Sequence, residues 1–487
     1  VCPDENEIDL DEDDPVDNDQ SNVPLTQNYD ADEIVLEEDE EDNSVSAQPD
    51  LLSANPRETG ESYFDPGKPH LMVLGTGCAS PSPSRGASGY ALLLPTLTRQ
   101  TDTLLYEQDF TLTAIMECGE GTLTNLFRHL PGPSMLNSST KQNEKLQQIR
   151  FVWISHAHLD HYGGLPCLVR AVHSAGRRIP YCKCGEQEHK NRKRKLDVLN
   201  NENCKCKLPL VVIAPSNVLR FLDASLNCKH GKVPLTTKNP KEFTSWGRDN
   251  YVRLFHGVTH GEFEGSPFAS EVRDIVFNTK ILRHGGTPNH PQEFRPFALL
   301  RSIPVEHCPQ AHGLVLGLNF KNTSVIDNPL DGRTFSPFLL CFSGDTRPSP
   351  RLVRACQEIR SQCRPPVRIA FLMHESTFDD ETRGKNEAIK KRHSTVCEAL
   401  DIAGQIQADA TLLTHFSQRY PRAPPRRILK EEKEDQAYIS WQQKEKENFC
   451  FASDGLLIPL SRVPLSFLWL VSSSILRVIE QTQELMT

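Results

Sequence analysis

The chain has 487 residues, fifteen cysteines and a formal net charge of -10 at neutral pH. That length allows about three domains, or one large α/β domain with tails. The odd cysteine count, with no basic and apolar secretory leader, argues against a disulfide-built extracellular module and for reduced thiols or metal ligands in an intracellular compartment.

Charge is divided unevenly. Residues 1–50 hold twenty Asp or Glu and no Lys or Arg, so the remainder carries +10. A basic remainder favours a polyanionic partner through steering and counterion release, although a merely soluble basic surface has the same composition. Residues 1–67 read as an acidic, disordered leader or linker with too little apolar surface to bury. The first residue is Val1 rather than Met, as in a fragment or a processed chain.

Ordered structure is expected from Lys68. Leu71-Met72-Val73-Leu74 reads as a short strand ending in the turn Gly75-Thr76-Gly77. Tyr90 to Leu94 and Leu112 to Met116 read as further strands. Phe151 to Ile154 is a strand that delivers Ser155-His156-Ala157-His158-Leu159-Asp160-His161 at its C-terminal end. Gly164 to Val172 has helical spacing, Leu210 to Ala214 reads as a strand and Val218 to Leu226 as a helix. Later strands are expected at Leu314 to Leu318, Phe338 to Phe342, Ile369 to Met373 and Thr411 to Leu413. Strands alternating with helices, each polar cluster following a strand, predict an α/β sandwich with function at the strand ends.

Two inserts are expected, at about 181–207 and 228–300, within a catalytic domain of 68–462. The second is long, weakly periodic and contains Gly and Pro, as functional or mobile loops do. Residues 463–487 form an atypical apolar tail. Its run from Pro464 to Ile479 is interrupted by three serines and Arg477 and is shorter than the ~20 residues a bilayer needs, so it reads as a buried or partner-facing helix and not a membrane anchor.

Three histidines and an aspartate crowd into His156, His158, Asp160 and His161. Such ligands suit Zn²⁺ or Mn²⁺, and four of them in one turn do not all reach a single ion with good geometry. Two ions sharing the loop is the reading favoured over a solvated histidine-rich turn, and paired metals are a recurrent device for cleaving phosphate esters. His307, Asp345, His393 and His415 are further candidates. Three of them follow an apolar strand, and His393 precedes Ser394, read as the N-cap of the next helix. Each alone is more often a structural residue; their shared placement beside the first loop points to one centre.

Several segments together carry a family resemblance. They are Leu74-Gly75-Thr76-Gly77, Cys118-Gly119-Glu120-Gly121-Thr122, the His156–His161 loop with Gly163-Gly164-Leu165-Pro166, Ser343-Gly344-Asp345-Thr346-Arg347-Pro348, His374-Glu375-Ser376-Thr377, His393-Ser394-Thr395 and His415-Phe416-Ser417-Gln418-Arg419-Tyr420. In this order they resemble tRNase Z, a family of 3′ tRNA-processing endoribonucleases in the metallo-β-lactamase superfamily, and specifically the C-terminal catalytic half of its long eukaryotic form. The resemblance implies a metallo-β-lactamase αββα sandwich with long inserts. It implies two Zn²⁺, with Mn²⁺ as the alternative: His156, His158 and His307 on one ion, Asp160, His161 and His415 on the other, and Asp345 between them. It implies removal of the 3′ trailer from precursor tRNA by metal-bound hydroxide attack, leaving a 3′-OH on the tRNA and a 5′-phosphate on the trailer. Asp160 would accept a proton from the nucleophile and His393 would help protonate the leaving oxygen.

The resemblance also implies a nuclear or mitochondrial location, and either a homodimer or an N-terminal half that this sequence does not contain. Two departures stand out. The family's Pro-x-Lys-x-Arg-Asn substrate loop is Pro81-Ser82-Pro83-Ser84-Arg85-Gly86 here, with Ser84 and Arg85 the candidate contacts to the acceptor end. The family's Asp before Cys-Gly-Glu-Gly-Thr is Glu117.

Cys182, Cys184, Cys204 and Cys206 are candidates for a structural zinc, although Cys-x-Cys is tight for that geometry; reduced surface thiols are the alternative. The basic residues between them, Lys190, Arg192, Lys193, Arg194 and Lys195, read as a solvated loop or as a supplementary grip on the tRNA backbone. Two other readings keep different chemistry: a metal-dependent phosphodiesterase for another substrate, and a weakly catalytic RNA-binding paralogue.

Overall fold

The computed structural model describes residues 67–79, 85–99, 106–131, 139–178, 210–226, 235–236, 255–266, 270–285, 287–319, 338–363, 367–420 and 449–460. Ser84, the four insert cysteines with the basic residues between them, the acidic leader to residue 66 and the tail from residue 463 lie outside these.

Sixteen strands are present among the described residues. In chain order they are β1 (His70–Gly75), β2 (Gly89–Arg99), β3 (Tyr106–Cys118), β4 (Phe151–Trp153), β5 (Leu210–Ile213), β6 (Leu235–Thr236), β7 (Phe255–Val258), β8 (Ile281–Gly285), β9 (Thr287–Phe294), β10 (Phe297–Pro304), β11 (His312–Leu318), β12 (Phe338–Phe342), β13 (Ile369–Glu375), β14 (Thr411–Thr414), β15 (Phe449–Phe451) and β16 (Leu457–Pro459). One sheet runs β16-β1-β2-β3-β4-β5-β7-β6 and the other β10-β11-β12-β13-β14-β15, with β8 and β9 a separate hairpin.

Period-two alternation builds the layers. Leu71, Val73, Tyr90, Leu92, Phe151 and Trp153 of the first sheet meet Leu314, Leu316, Leu340, Phe342 and Met373 of the second in one buried cluster. The alternate residues of the first sheet, Met72, Leu74, Ala91, Leu93 and Val152, pack outward on Leu126, Leu165, Leu168, Val218 and Leu222 of its covering helices. Those of the second, Val315, Leu339, Cys341, Ile369 and Leu372, pack on Leu352, Cys356, Ile359, Ile402 and Ile406. Helix, sheet, sheet, helix is the αββα sandwich of the metallo-β-lactamase fold.

The direction of the strands places the site. β3, β4, β5 and β7 are mutually parallel, as are β12, β13, β14 and β15. β10 runs antiparallel to β11, which runs antiparallel to β12, so β10 points the same way as β12. The loops after β10, β12, β13 and β14 therefore leave one edge of the second sheet together.

Three elements differ from the sequence expectation. β2 and β3 run well beyond the apolar cores that marked them, because they pair along eleven positions, from Gly89↔Cys118 to Arg99↔Tyr106. The helix expected at Gly164 to Val172 is Leu165–Arg178. Within 228–300 the described residues are largely regular: β7 joins the first sheet, helices His260–Gly265 and Ser270–Phe277 follow, and β8, β9 and the start of β10 complete the segment. Its strands carry Gly, Pro and charged residues at hairpin and edge positions, which masks the period-two signal. Among the described residues no helix is long and apolar enough to cross a membrane.

Candidate metal centre

β4 is buried at every position and stops at Trp153, where the chain turns into the histidine loop. Ser155 fixes that turn. Its N–H donates to both carboxylate oxygens of Glu117 at 3.2 Å, and its carbonyl accepts from His312 N at 3.1 Å. Glu117 is fully buried with φ 56°. Burial pushes its carboxyl up, opposed by His161, whose Nδ1 lies 3.5 Å away. Asp160 and His161 sit on the one-turn helix Leu159–Tyr162 and face inward, both buried.

The other donors arrive from the second sheet. His307 follows β10, Asp345 follows β12 through Gly344 at φ 59°, and His415 follows β14 with φ 60°. A non-glycine residue in that left-handed region costs of the order of 1–3 kcal/mol, and such strain gathers at functional sites.

Asp345 lies at the centre. Its Oδ2 is 3.5 Å from His156 Nε2, 3.2 Å from His161 Nε2, 3.9 Å from His307 Nε2 and 3.2 Å from His415 Nε2. To one side, His158 Nδ1 is 2.9 Å from His156 Nε2 and 3.1 Å from His307 Nε2. To the other, His415 Nε2 is 3.2 Å from both His161 Nε2 and Asp160 Oδ2. The structure thus brings all seven sequence candidates together around Asp345.

These residues fit a pair of divalent cations. His307 Nδ1 faces the Arg392 carbonyl at 2.9 Å, so it carries the proton and Nε2 turns a lone pair inward. His415 Nδ1 donates to Thr377 Oγ1 at 2.8 Å, whose own proton goes to Glu375 Oε2 at 2.7 Å, so His415 Nε2 is likewise a bare lone pair. Ring nitrogens about 3.3 Å apart are what two imidazoles on one tetrahedral zinc require. Asp160 Oδ1 is buried without a hydrogen-bond partner. Burial alone would raise the carboxyls of Asp160 and Asp345, yet the neighbouring imidazoles hold both well below the usual range. Convergent lone pairs and ionised carboxylates in a site buried except at His158 call for positive charge.

His393 stands beside this cluster, with Nδ1 2.9 Å from Glu375 Oε1 and 3.9 Å from Asp345 Oδ2. Burial would lower its pKa, but the Glu375 carboxylate raises it on balance. Sequence reasoning used Glu375 and Thr377 only as family markers. In the structure Glu375, fully buried at the end of β13, accepts from Thr346 N, Ser394 N, Thr377 N, Thr377 Oγ1 and His393. The signal available was an acidic residue at the end of a buried strand, which must find several donors.

The N-cap of the helix Val396–Ile406 is Thr395, not Ser394. Thr395 and Glu398 form the reciprocal capping box of the Thr-x-x-Glu pattern. Ser394 Oγ donates instead to Thr346 O at 2.7 Å. Arg347 then joins the Gly-Asp-Thr-Arg segment to this helix, forking onto Glu398 and donating to the His393 carbonyl.

Arg85, expected to face substrate, is turned inward over the Phe416 ring at 4.5 Å, with Nη1 on Thr76 Oγ1 at 3.1 Å. Asp454 braces this loop, accepting from Gly86 N at 2.5 Å and Thr76 Oγ1 at 2.8 Å. Arg85 Nε is buried and has no hydrogen-bond partner.

No family model matches the chain. In sequence it is similar to a mitochondrial tRNase Z of Arabidopsis thaliana, 28% identical over 365 residues that cover 73% of this chain and 33% of that protein. It is similar to a ribonuclease Z of Myxococcus xanthus, 26% identical over 372 residues, 76% of this chain and 94% of that protein. A solved long-form RNase Z from yeast aligns with a TM-score of 0.49 at 18% identity, covering 82% of this chain and 43% of that one. The chain spans about a third of the length of the first curated relatives it matches.

Proposed function

We propose that this chain is the catalytic part of a zinc-dependent endonuclease that removes the 3′ trailer from precursor tRNA. The observation that carries this reading is the two-triad arrangement around Asp345, in a chain whose relatives are named tRNase Z and ribonuclease Z. His156, His158 and His307 would hold one ion and Asp160, His161 and His415 the other, with Asp345 serving both; Mn²⁺ is the alternative to Zn²⁺. When bound, the pair supplies Lewis acidity at the phosphoryl oxygens and a more acidic water.

The protein's own groups do the rest. Asp160 Oδ1, buried and unpartnered, takes the proton of the attacking water. His393 gives a proton from Nε2 to the departing 3′ oxygen, while Glu375 holds its Nδ1 in place. The tRNA then ends in a 3′-OH and the trailer begins with a 5′-phosphate. Arg85, half-buried beside Thr76, and Ser84, its neighbour in sequence, are the contacts proposed for the acceptor end. The relatives' names support a mitochondrial location.

The test is cleavage of a 3′-extended precursor tRNA by purified protein loaded with Zn²⁺ or Mn²⁺, beside Asp160→Ala. A cut immediately after the discriminator nucleotide, absent in the variant, is the expected result. Two bound metals with no cut would overturn the tRNA assignment in favour of another phosphodiester. No bound metal would overturn the enzyme reading in favour of an RNA-binding paralogue.

A further inference from the structure

We infer that His260 and Ser302 are positioning residues that set the distance between the two sheets at the first metal position and so control that position alone. The inference rests on the dinuclear reading above. It starts from a chain of hydrogen bonds in which every proton is assigned by chemistry. An indole nitrogen only donates and a carbonyl only accepts. Trp153 Nε1 lies 3.0 Å from Ser302 Oγ, Ser302 Oγ 2.9 Å from His260 Nδ1, and His260 Nε2 2.9 Å from Ile154 O. The indole therefore donates to the hydroxyl, the hydroxyl to Nδ1, and Nε2 carries the ring proton onto the carbonyl. His260 is a neutral imidazole of one tautomer.

Its neighbours enforce this. His260 is buried, edge-on to Trp153 at 5.4 Å and tilted 30° to the His312 ring at 4.1 Å. It opens the helix His260–Gly265, whose capping box on Thr259 and Glu262 fixes where the ring points.

The two ends of the chain of bonds matter. Trp153 closes β4 and Ile154 follows it, two residues before His156. Ser302 is on β10, five residues before His307. His156 and His307 come from different sheets and belong to the same triad, and one backbone hydrogen bond crosses between the sheets beside them, His312 N to Ser155 O at 3.1 Å. The path through His260 and Ser302 is the second tie there, made by side chains outside both triads. The second triad lacks this dependence: its Asp160 and His161 lie beyond His156, and its His415 is held through Thr377 and Glu375.

Residues that orient metal ligands from behind typically alter metal affinity by about tenfold to a hundredfold. The experiment titrates Zn²⁺ against a competing chelator in wild type, His260→Phe, Ser302→Ala and Ser302→Thr, and records thermal unfolding of each metal-free protein. The phenyl ring keeps the packing against Trp153 and removes both hydrogen bonds. His260→Phe and Ser302→Ala are expected to lose one of two ions about tenfold or more readily, with the other unchanged, and Ser302→Thr to restore it. Equal weakening of both ions, or unchanged affinities with only a lower unfolding temperature, would overturn the inference and leave a plain core role. Wild type binding fewer than two ions would instead overturn the dinuclear reading.

Discussion

Thr377→Val tests how the second triad is held. Thr377 Oγ1 links the Glu375 carboxylate, at 2.7 Å, to His415 Nδ1, at 2.8 Å. Valine keeps the shape and removes the oxygen. Glu375 retains four other donors, so its loss is at the low end of the 1.5–3 kcal/mol typical of a hydrogen bond to a charged group. His415 Nδ1–H is left buried without an acceptor, which costs about 1–3 kcal/mol more. The metal-free protein should lose about 3 kcal/mol in all. At about 2 °C per kcal/mol for a domain of this size, the unfolding midpoint should fall by about 6 °C. With its proton no longer anchored, the His415 ring reorients and presents Nε2 poorly, so the second ion should bind about tenfold to a hundredfold more weakly. The first triad should be unaffected, because His307 is held by the Arg392 carbonyl and His156 by Ser155. Chelator competition counts the ions, and scanning calorimetry reads the midpoint. Affinity for the second ion within twofold of wild type would refute the reasoning, as would equal weakening of both ions.

Two more predictions concern groups outside the ligand set. Burial, then the nearby His312, holds the pKa of His260 well below its ordinary value, so in acid the unfolded chain takes up a proton there that the fold refuses. Stability should fall as the pH drops below about 6.5, by up to about 1.4 kcal/mol per pH unit for this histidine, and His260→Phe should remove that share; identical pH slopes in urea melts of the metal-free proteins would contradict it. Asp454→Ala frees Gly86 and Thr76, and with them Arg85. KM for a 3′-extended tRNA should rise about tenfold, with turnover of bis(p-nitrophenyl) phosphate unchanged, since a misplaced contact loses about 1–3 kcal/mol of binding. A parallel loss on both substrates would assign Asp454 to the metal centre instead.

Much of the centre was legible before any coordinates. His156, His158, Asp160 and His161 are close in sequence, and a turn after a buried strand leaves them few places to go. His307, Asp345 and His415 were legible because each ends a strand of one sheet whose members share a direction. The second insert was misread for the converse reason: β7 and the β8–β9 hairpin draw order from pairing partners, not from their own period. The stacking of Arg85 on Phe416 was not legible, because the local sequence of Arg85 carries no trace of a ring that approaches it from more than three hundred positions away.

The sequence by itself determined the donor set, the alternation that builds two sheets and four layers, and the family resemblance, because periodicity and short spacings act locally on the chain. Only the tertiary structure decided how closely those donors approach Asp345, that Glu375 and Thr377 brace His415, and that His260 and Ser302 tie the two sheets together. Each of these is a meeting of side chains set by strand register and sheet packing, and a hydrogen bond of 3 Å between such distant residues exists only once the core between them has closed.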